Sequence, residues 1–128
     1  MYQSGLLAAA ALLLTVASAQ AENVIDPEGL RASPNSVKVD AVTAEKAGYV
    51  VVHETDQTGA TAGEVIGFAR IHEGENSGIS IPLGKKMKQG AKLIVMLHEE
   101  SNGDETFDAQ DAAVSAGTGP VQETVTVE

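Results

Sequence analysis

From residue 36 onward the chain repeats one unit, a short apolar or alternating stretch closed by Gly, Asn, Asp or Pro. Alternation with a period of two places successive side chains on opposite faces, and therefore predicts β-strands rather than helices. Ser36 to Thr43 sets Val37, Val39 and Ala41 on one face and Lys38 and Asp40 on the other, the pattern of a half-buried strand. Tyr49-Val50-Val51-Val52-His53-Glu54 is apolar and β-branched on both faces, which predicts a central strand covered on both sides. Lys92 to Glu99, with Leu93, Ile94, Val95, Met96 and Leu97, is a second such strand. Val65 to His72 is another, with Gly67 marking a bulge or a close backbone approach. Ile79, Ile81 and Leu83 alternate with Ser80 and Pro82, and Pro82 predicts an edge or bulge position because it cannot donate to a ladder. Val121 to Glu128 alternates again.

The connecting stretches are polar or rich in turn residues: Thr55 to Gly63, Glu73 to Gly78, and Glu99 to Asp108. Ala109 to Ser115 suits a short helical turn, which Gly117, Gly119 and Pro120 then stop. Asn23 to Asn35 contains Pro27, Gly29 and Pro34 and reads as an extended leader or irregular edge strand. The predicted class is all-β: an immunoglobulin-like, two-sheet antiparallel β-sandwich of about seven strands, spanning residues 36–128 after a leader at 22–35.

The N-terminus carries a different pattern. Leu6 to Val16 is an apolar run of Leu and Ala with Thr15 its one hydroxyl, and the first charged side chain is Glu22. The run falls short of the roughly 20 residues that cross a bilayer as a helix, so a signal peptide is expected rather than a permanent span. Both Ala17-Ser18-Ala19 and Ala19-Gln20-Ala21 supply the small residues a signal peptidase needs, and the second places the signal at residues 1–21. Met1 to Gly5 lacks Lys and Arg, an unusual n-region. Export to a periplasmic, secreted or cell-surface location follows as an expectation, with no stable membrane span after cleavage.

The formal net charge of −10 disfavours nucleic acid and anionic lipid as partners. The chain contains no cysteine, which removes disulfides, thiolate metal sites and cysteine nucleophiles. No Gly-x-Ser-x-Gly elbow, P-loop or dinucleotide fingerprint is present, so an enzyme is not expected. The aromatic residues are Tyr2, Tyr49, Phe68 and Phe107, a poor stacking surface for sugars or single strands. Lys85, Lys86, Lys88 and Lys92 are half of the positive residues, and beside apolar strands they discourage edge-to-edge association.

Two groups of residues carry candidate chemistry. Each of the three histidines is followed by glutamate, and each closes an apolar strand: His53, His72 and His98. Strand parity puts His53 with Tyr49 and Val51, and His98 with Ile94 and Met96. On neighbouring strands the two imidazoles would lie at the same end of the sandwich. They would then offer copper or zinc a site, with His72, Met96 or a carboxylate as a third ligand. The blander reading gives each ring one hydrogen bond where its strand leaves the core. His-Glu-x-x-His is not completed, because Gln57, Asn76 and Asn102 occupy the fifth place. The second group is the oxygen-rich run Glu100, Asn102, Asp104 and Asp108, a candidate for calcium. Its spacing departs from an EF-hand, with Glu105 where Gly is needed and Asp111 at the twelfth place, so an acidic hairpin or Ω-loop competes with it.

The order of Val37-Lys38-Val39, Gly48 to His53, Val65-Ile66-Gly67, Ile79 to Leu83, Leu93 to His98 and Asn102-Gly103-Asp104-x-x-Phe107-Asp108 resembles an uncharacterised family of exported β-sandwich domains. That family, a domain of unknown function, is found in haloarchaeal surface proteins and bacterial exported proteins. The resemblance covers roughly Val37 to Val127. It implies an immunoglobulin-like fold outside the cytoplasm and a structural or binding role toward an unknown envelope or extracellular protein. It also implies that His53, His98 and the Asp104 to Asp108 loop form the family's polar signature. Family members commonly have an acidic residue or a further Asp where this chain has Glu100 and Asn102, which lowers the expectation of a cation in the loop.

Overall fold

The two densest aliphatic runs become the paired centre of one sheet. In the computed structural model, β4 (Gly48–Glu54) and β7 (Lys92–Glu99) lie antiparallel between β5 (Val65–Ile71) and β8 (Gln122–Thr126), in the order β5-β4-β7-β8. The structure describes residues 22–104, 106–117 and 119–128, so the expected signal peptide at 1–21 lies outside the described residues. The second sheet is built on β3 (Ser36–Ala44), paired along its length with β6 (Gly74–Pro82). Its other edge takes two short strands, β1 (Val24–Ile25) against Val42 and Thr43, and β2 (Arg31–Ser33) against Ser36 to Lys38. The architecture is thus an all-β sandwich of two antiparallel four-stranded sheets.

The stretch expected as a leader joins the sandwich through these two strands. Ile25 and Ala32 are buried in the core, and Ala32 bridges Val127, which laces the two sheets together along one margin. Gly90 N–H donates to Val127 O at 2.8 Å and Glu128 N–H to Ala32 O at 2.9 Å on the same margin. On the opposite margin Gly67 passes close to β6: a Cβ there would meet Pro82 O at 2.6 Å. The β4–β5 register shifts beside it, since Val52 faces Gly67 and His53 faces Val65. The glycine therefore marks both a bulge and a close approach. Pro82 sits at the end of β6, an edge strand, where a missing N–H costs no ladder bond.

Between the sheets the core is aliphatic: Val37, Val39 and Ile81 from one side, Val50, Val52, Leu93, Val95 and Leu97 from the other. Each such side chain contributes about 1.5–3 kcal/mol on burial. Ala41 is only half-buried, because inward burial along β3 passes from Val37 and Val39 to Val42 and Ala44 where the partner changes from β2 to β1. Residues 109–115 form no helix. Ala113 bridges His98, Ser115 bridges Pro120, and Val114 and Val121 bond Leu97, so this segment extends the sheet beside the end of β7. No helix among the described residues is long and apolar enough to cross a membrane.

Candidate metal centre

Period-two geometry gives β4 and β7 a second buried face, turned away from the other sheet. Tyr49, Val51 and His53 project there from β4, and Ile94, Met96 and His98 from β7. All six are buried, although the opposing sheet does not cover them. Over Tyr49 and His98 the cover is the segment after β7, while His53 is bonded to Gly63 in the segment before β5. Phe107 packs edge-on against His98, with ring centroids 4.9 Å apart, and stands 5.8 Å from both Tyr49 and Phe68. Every aromatic ring of the described chain is thus drawn into one cluster.

Polar contacts tie this cover down. Tyr49 Oη donates to Glu100 Oε1 at 2.6 Å, and Arg70 Nη1 donates to Asp104 O at 3.0 Å and to Tyr49 Oη at 3.3 Å. Arg70 also lies over the Tyr49 ring, 5.5 Å from its centroid. Burial and the bond to Glu100 push the Tyr49 hydroxyl up to about 12. The same bond, with backbone donors from Asn102 and Gly103, holds the Glu100 carboxyl below its usual range.

His53 and His98 do not sit side by side at one end, as neighbouring strands first suggested. The antiparallel register pairs His53 with Ile94 and His98 with Tyr49, an offset of four residues, or roughly 13 Å along the strand. The rings nonetheless approach to 5.7 Å between centroids, with planes 26° apart, so they lean toward each other across the Val51–Met96 pair. Gly48 contributes to this placement: a Cβ there would run into the carbonyl oxygen of His98, so glycine allows β4 to close on β7.

The hydrogen bonds of the two rings are alike. His53 Nδ1 lies 3.0 Å from Gly63 O, and His98 Nδ1 lies 2.8 Å from Asp111 O. A carbonyl can only accept, so both Nδ1 atoms carry the proton and both Nε2 atoms carry the lone pair. Among the described residues three buried side-chain polar atoms lack a hydrogen-bond partner: His53 Nε2, His98 Nε2 and Thr55 Oγ1. Gly63 flanks β4 on the β5 side and Asp111 flanks β7 on the far side, so each Nδ1 is bonded to backbone on the outer side of the β4–β7 pair. Both residues are 8% exposed. Each orphaned acceptor costs about 1–3 kcal/mol. Burial, ahead of every other cause, lowers the His98 pKa from 6.5 and keeps that ring neutral, the form that ligates metal.

Nδ1 fixed on a carbonyl and Nε2 free is the arrangement that orients histidine ligands in metal sites. With metal–nitrogen bonds of about 2.0–2.1 Å, two rings on one ion stand roughly 5–6 Å apart between centroids with both Nε2 lone pairs converging; the pair here has that separation but is stacked, so taking one ion requires the rings to turn about their side-chain bonds. His72 is not part of it. It follows Ile71, which pairs with Gly48 at the opposite end of β4 from His53, and its exposed ring bonds Glu73 O at 2.9 Å.

The acidic run is organised differently from the set read in the sequence. Carboxylate oxygens of Glu100, Asp104 and Asp111 lie within 4.8 Å of one another. Asn102 and Asp108 instead bond each other at 2.8 Å, which with Gln110 N–H holds the Asp108 carboxyl below its usual range. Asp111, 2% exposed, accepts Ser101 N–H on one oxygen and Asp108 N–H on the other. These carboxylates therefore serve first as acceptors that fold the loop over Tyr49 and His98. Sequence reasoning missed Asp111 as the buried anchor and Phe107 as the lid, because neither position has a periodic signal.

No curated protein and no solved structure matches the chain. A family model described as a domain of unknown function (DUF7282) matches residues 24–128, the whole of the sandwich from β1 to β8, and the chain therefore belongs to that family.

Proposed function

We propose that this protein is a noncatalytic, exported metal-binding module that takes one transition-metal ion between His53 and His98. The observation that carries the reading is the pair of buried Nε2 atoms without hydrogen-bond partners, on rings whose Nδ1 atoms are both fixed by backbone carbonyls. A purely structural role gives no reason to bury two such acceptors at a cost, whereas a metal ion uses both lone pairs. Export is supported by the apolar run Leu6 to Val16 and the Ala17 to Ala21 cleavage sites. In such a location a cysteine-free histidine site also escapes thiol oxidation.

Calorimetric titration of copper and zinc into the purified protein and into a His53→Ala/His98→Ala variant tests the reading. The wild type is expected to bind one ion per chain, and the variant to lose about 100-fold or more in affinity. Equal and weak binding by both would sink the proposal.

A second reading, a docking module for an envelope or extracellular protein, draws on the edge strand β5. Phe68 is 39% exposed there, beside a groove lined by Glu64, Ile66, Gly84 and Lys85. Protection of the β5 amides from hydrogen exchange in extracts of the native compartment would favour it.

A further inference from the structure

We propose that the centre selects the monovalent cuprous ion, with Met96 Sδ as the third ligand beside His53 Nε2 and His98 Nε2. The inference rests on the metal-binding reading above and adds to it the identity of the ion and one ligand.

The placement of Met96 follows from register. His53 stands opposite Ile94 and His98 opposite Tyr49, so the pair Val51–Met96 occupies the middle of the four-residue offset that the rings lean across. Met96 shares the outer face with both histidines by parity. It is 7% exposed and lies outside the aliphatic cluster between the sheets. An unbranched thioether has the rotatable bonds to bring sulfur into the space between two rings. Val51, across the ladder, offers no donor atom, so Met96 is the one ligand-bearing side chain at this middle position.

Two imidazoles and a thioether form a soft, neutral donor set, which suits Cu(I). Zinc in structural sites takes four ligands, and Cu(II) prefers a tetragonal field of nitrogen and oxygen donors. Charge sharpens the preference. The desolvation cost of an ion rises with the square of its charge, so a buried site without an anionic ligand penalises a divalent ion about four times as heavily as a monovalent one. The nearby carboxylates are already acceptors within the loop, Asp111 from backbone N–H groups on both oxygens and Glu100 from Tyr49, Asn102 and Gly103, so they act on the site through their charge rather than as ligands. Phe107 packs edge-on against His98 and adds apolar surface beside that ring.

The test is an anaerobic competition titration of Cu(I) against a chromophoric cuprous chelator, with Zn(II) titrated in parallel. It is run on the wild type, on Met96→Leu and on His53→Ala/His98→Ala. The wild type is expected to bind one Cu(I) more tightly than Zn(II), and X-ray absorption to show one sulfur neighbour at copper. Met96→Leu, which conserves volume and is checked for folding by circular dichroism, is expected to lose about 10-fold or more in Cu(I) affinity with Zn(II) affinity unchanged. Cu(I) affinity equal in Met96→Leu and wild type, or Zn(II) binding at least as tight as Cu(I), overturns this inference while the histidine site stands. Absence of any histidine-dependent binding removes both.

Discussion

Strands β4 and β7 bury both of their faces, yet the two faces are unlike. Inward, Val50, Val52, Leu93, Val95 and Leu97 meet the other sheet with nothing but hydrocarbon. Outward, Tyr49, His53, Met96 and His98 are buried as well, with Tyr49 and His98 covered by a loop anchored through Glu100, Asp104 and Asp111. The inner face has no polar atom to satisfy, so its burial is all stabilisation. The outer face contains two acceptors left unsatisfied, a cost that the inner face is large enough to carry. One strand pair thus supplies the fold with its odd or even positions and the candidate site with the alternate ones.

Breaking the inner face has the largest expected effect. Leu97→Ala is expected to lower the stability of the fold by about 2–5 kcal/mol in urea unfolding, while the molecules that remain folded keep their metal affinity. A parallel loss of affinity among folded molecules would mean that the two faces are not separable.

The tether of the outer face is next. Tyr49→Phe keeps the ring among Phe68 and Phe107 but deletes the hydroxyl that Glu100 accepts, and is expected to cost about 1.5–3 kcal/mol. Faster exchange of the amides at residues 100–104, with the amides of β3 and β6 unchanged, would show that the effect stays on the outer side.

The smallest effect is a pH dependence in the metal-free protein. The folded-state pKa of His98 lies below its ordinary 6.5, so the unfolded chain binds the proton more readily. Its contribution is complete above pH 6.5 and is lost as pH falls through the folded value. Glu100 and Asp108 are also lowered, from 4.5 and 3.8, and their contributions are lost in a separate window at more acid pH. Thermal midpoints measured from pH 8 to 3 are expected to fall in two stages. His98→Gln is expected to remove the first stage and leave the second.

Much of the scaffold could be read before any coordinates. Lys92 to Glu99 is a strand with the bounds expected, and Ser36 to Thr43, Tyr49 to Glu54 and Val65 to His72 differ from the observed strands by one residue. Gly67 and Pro82 occupy the bulge and edge positions their chemistry requires. β6 begins at Gly74, five residues before the alternation at Ile79, because Glu75 to Gly78 is a polar segment held in the sheet by backbone bonds to β3. Asn23 to Asn35, expected as an extended leader or irregular edge strand, supplies the edge strands β1 and β2, whose bounds carried no signal because strands of two and three residues beside Pro27, Gly29 and Pro34 show no period.

Taken alone, the amino-acid order determined that the chain is all-β, that two aliphatic strands are central, and that His53 and His98 each share a face with particular neighbours. Those properties are local, since side-chain alternation and backbone chemistry operate over a few residues. Only the tertiary structure decided that β4 and β7 pair with a four-residue offset between the histidines, that the rings close that gap, and that Phe107 and Asp111 pack against His98. Those are properties of register and loop packing, fixed by contacts between residues far apart in the chain, and no local pattern encodes them.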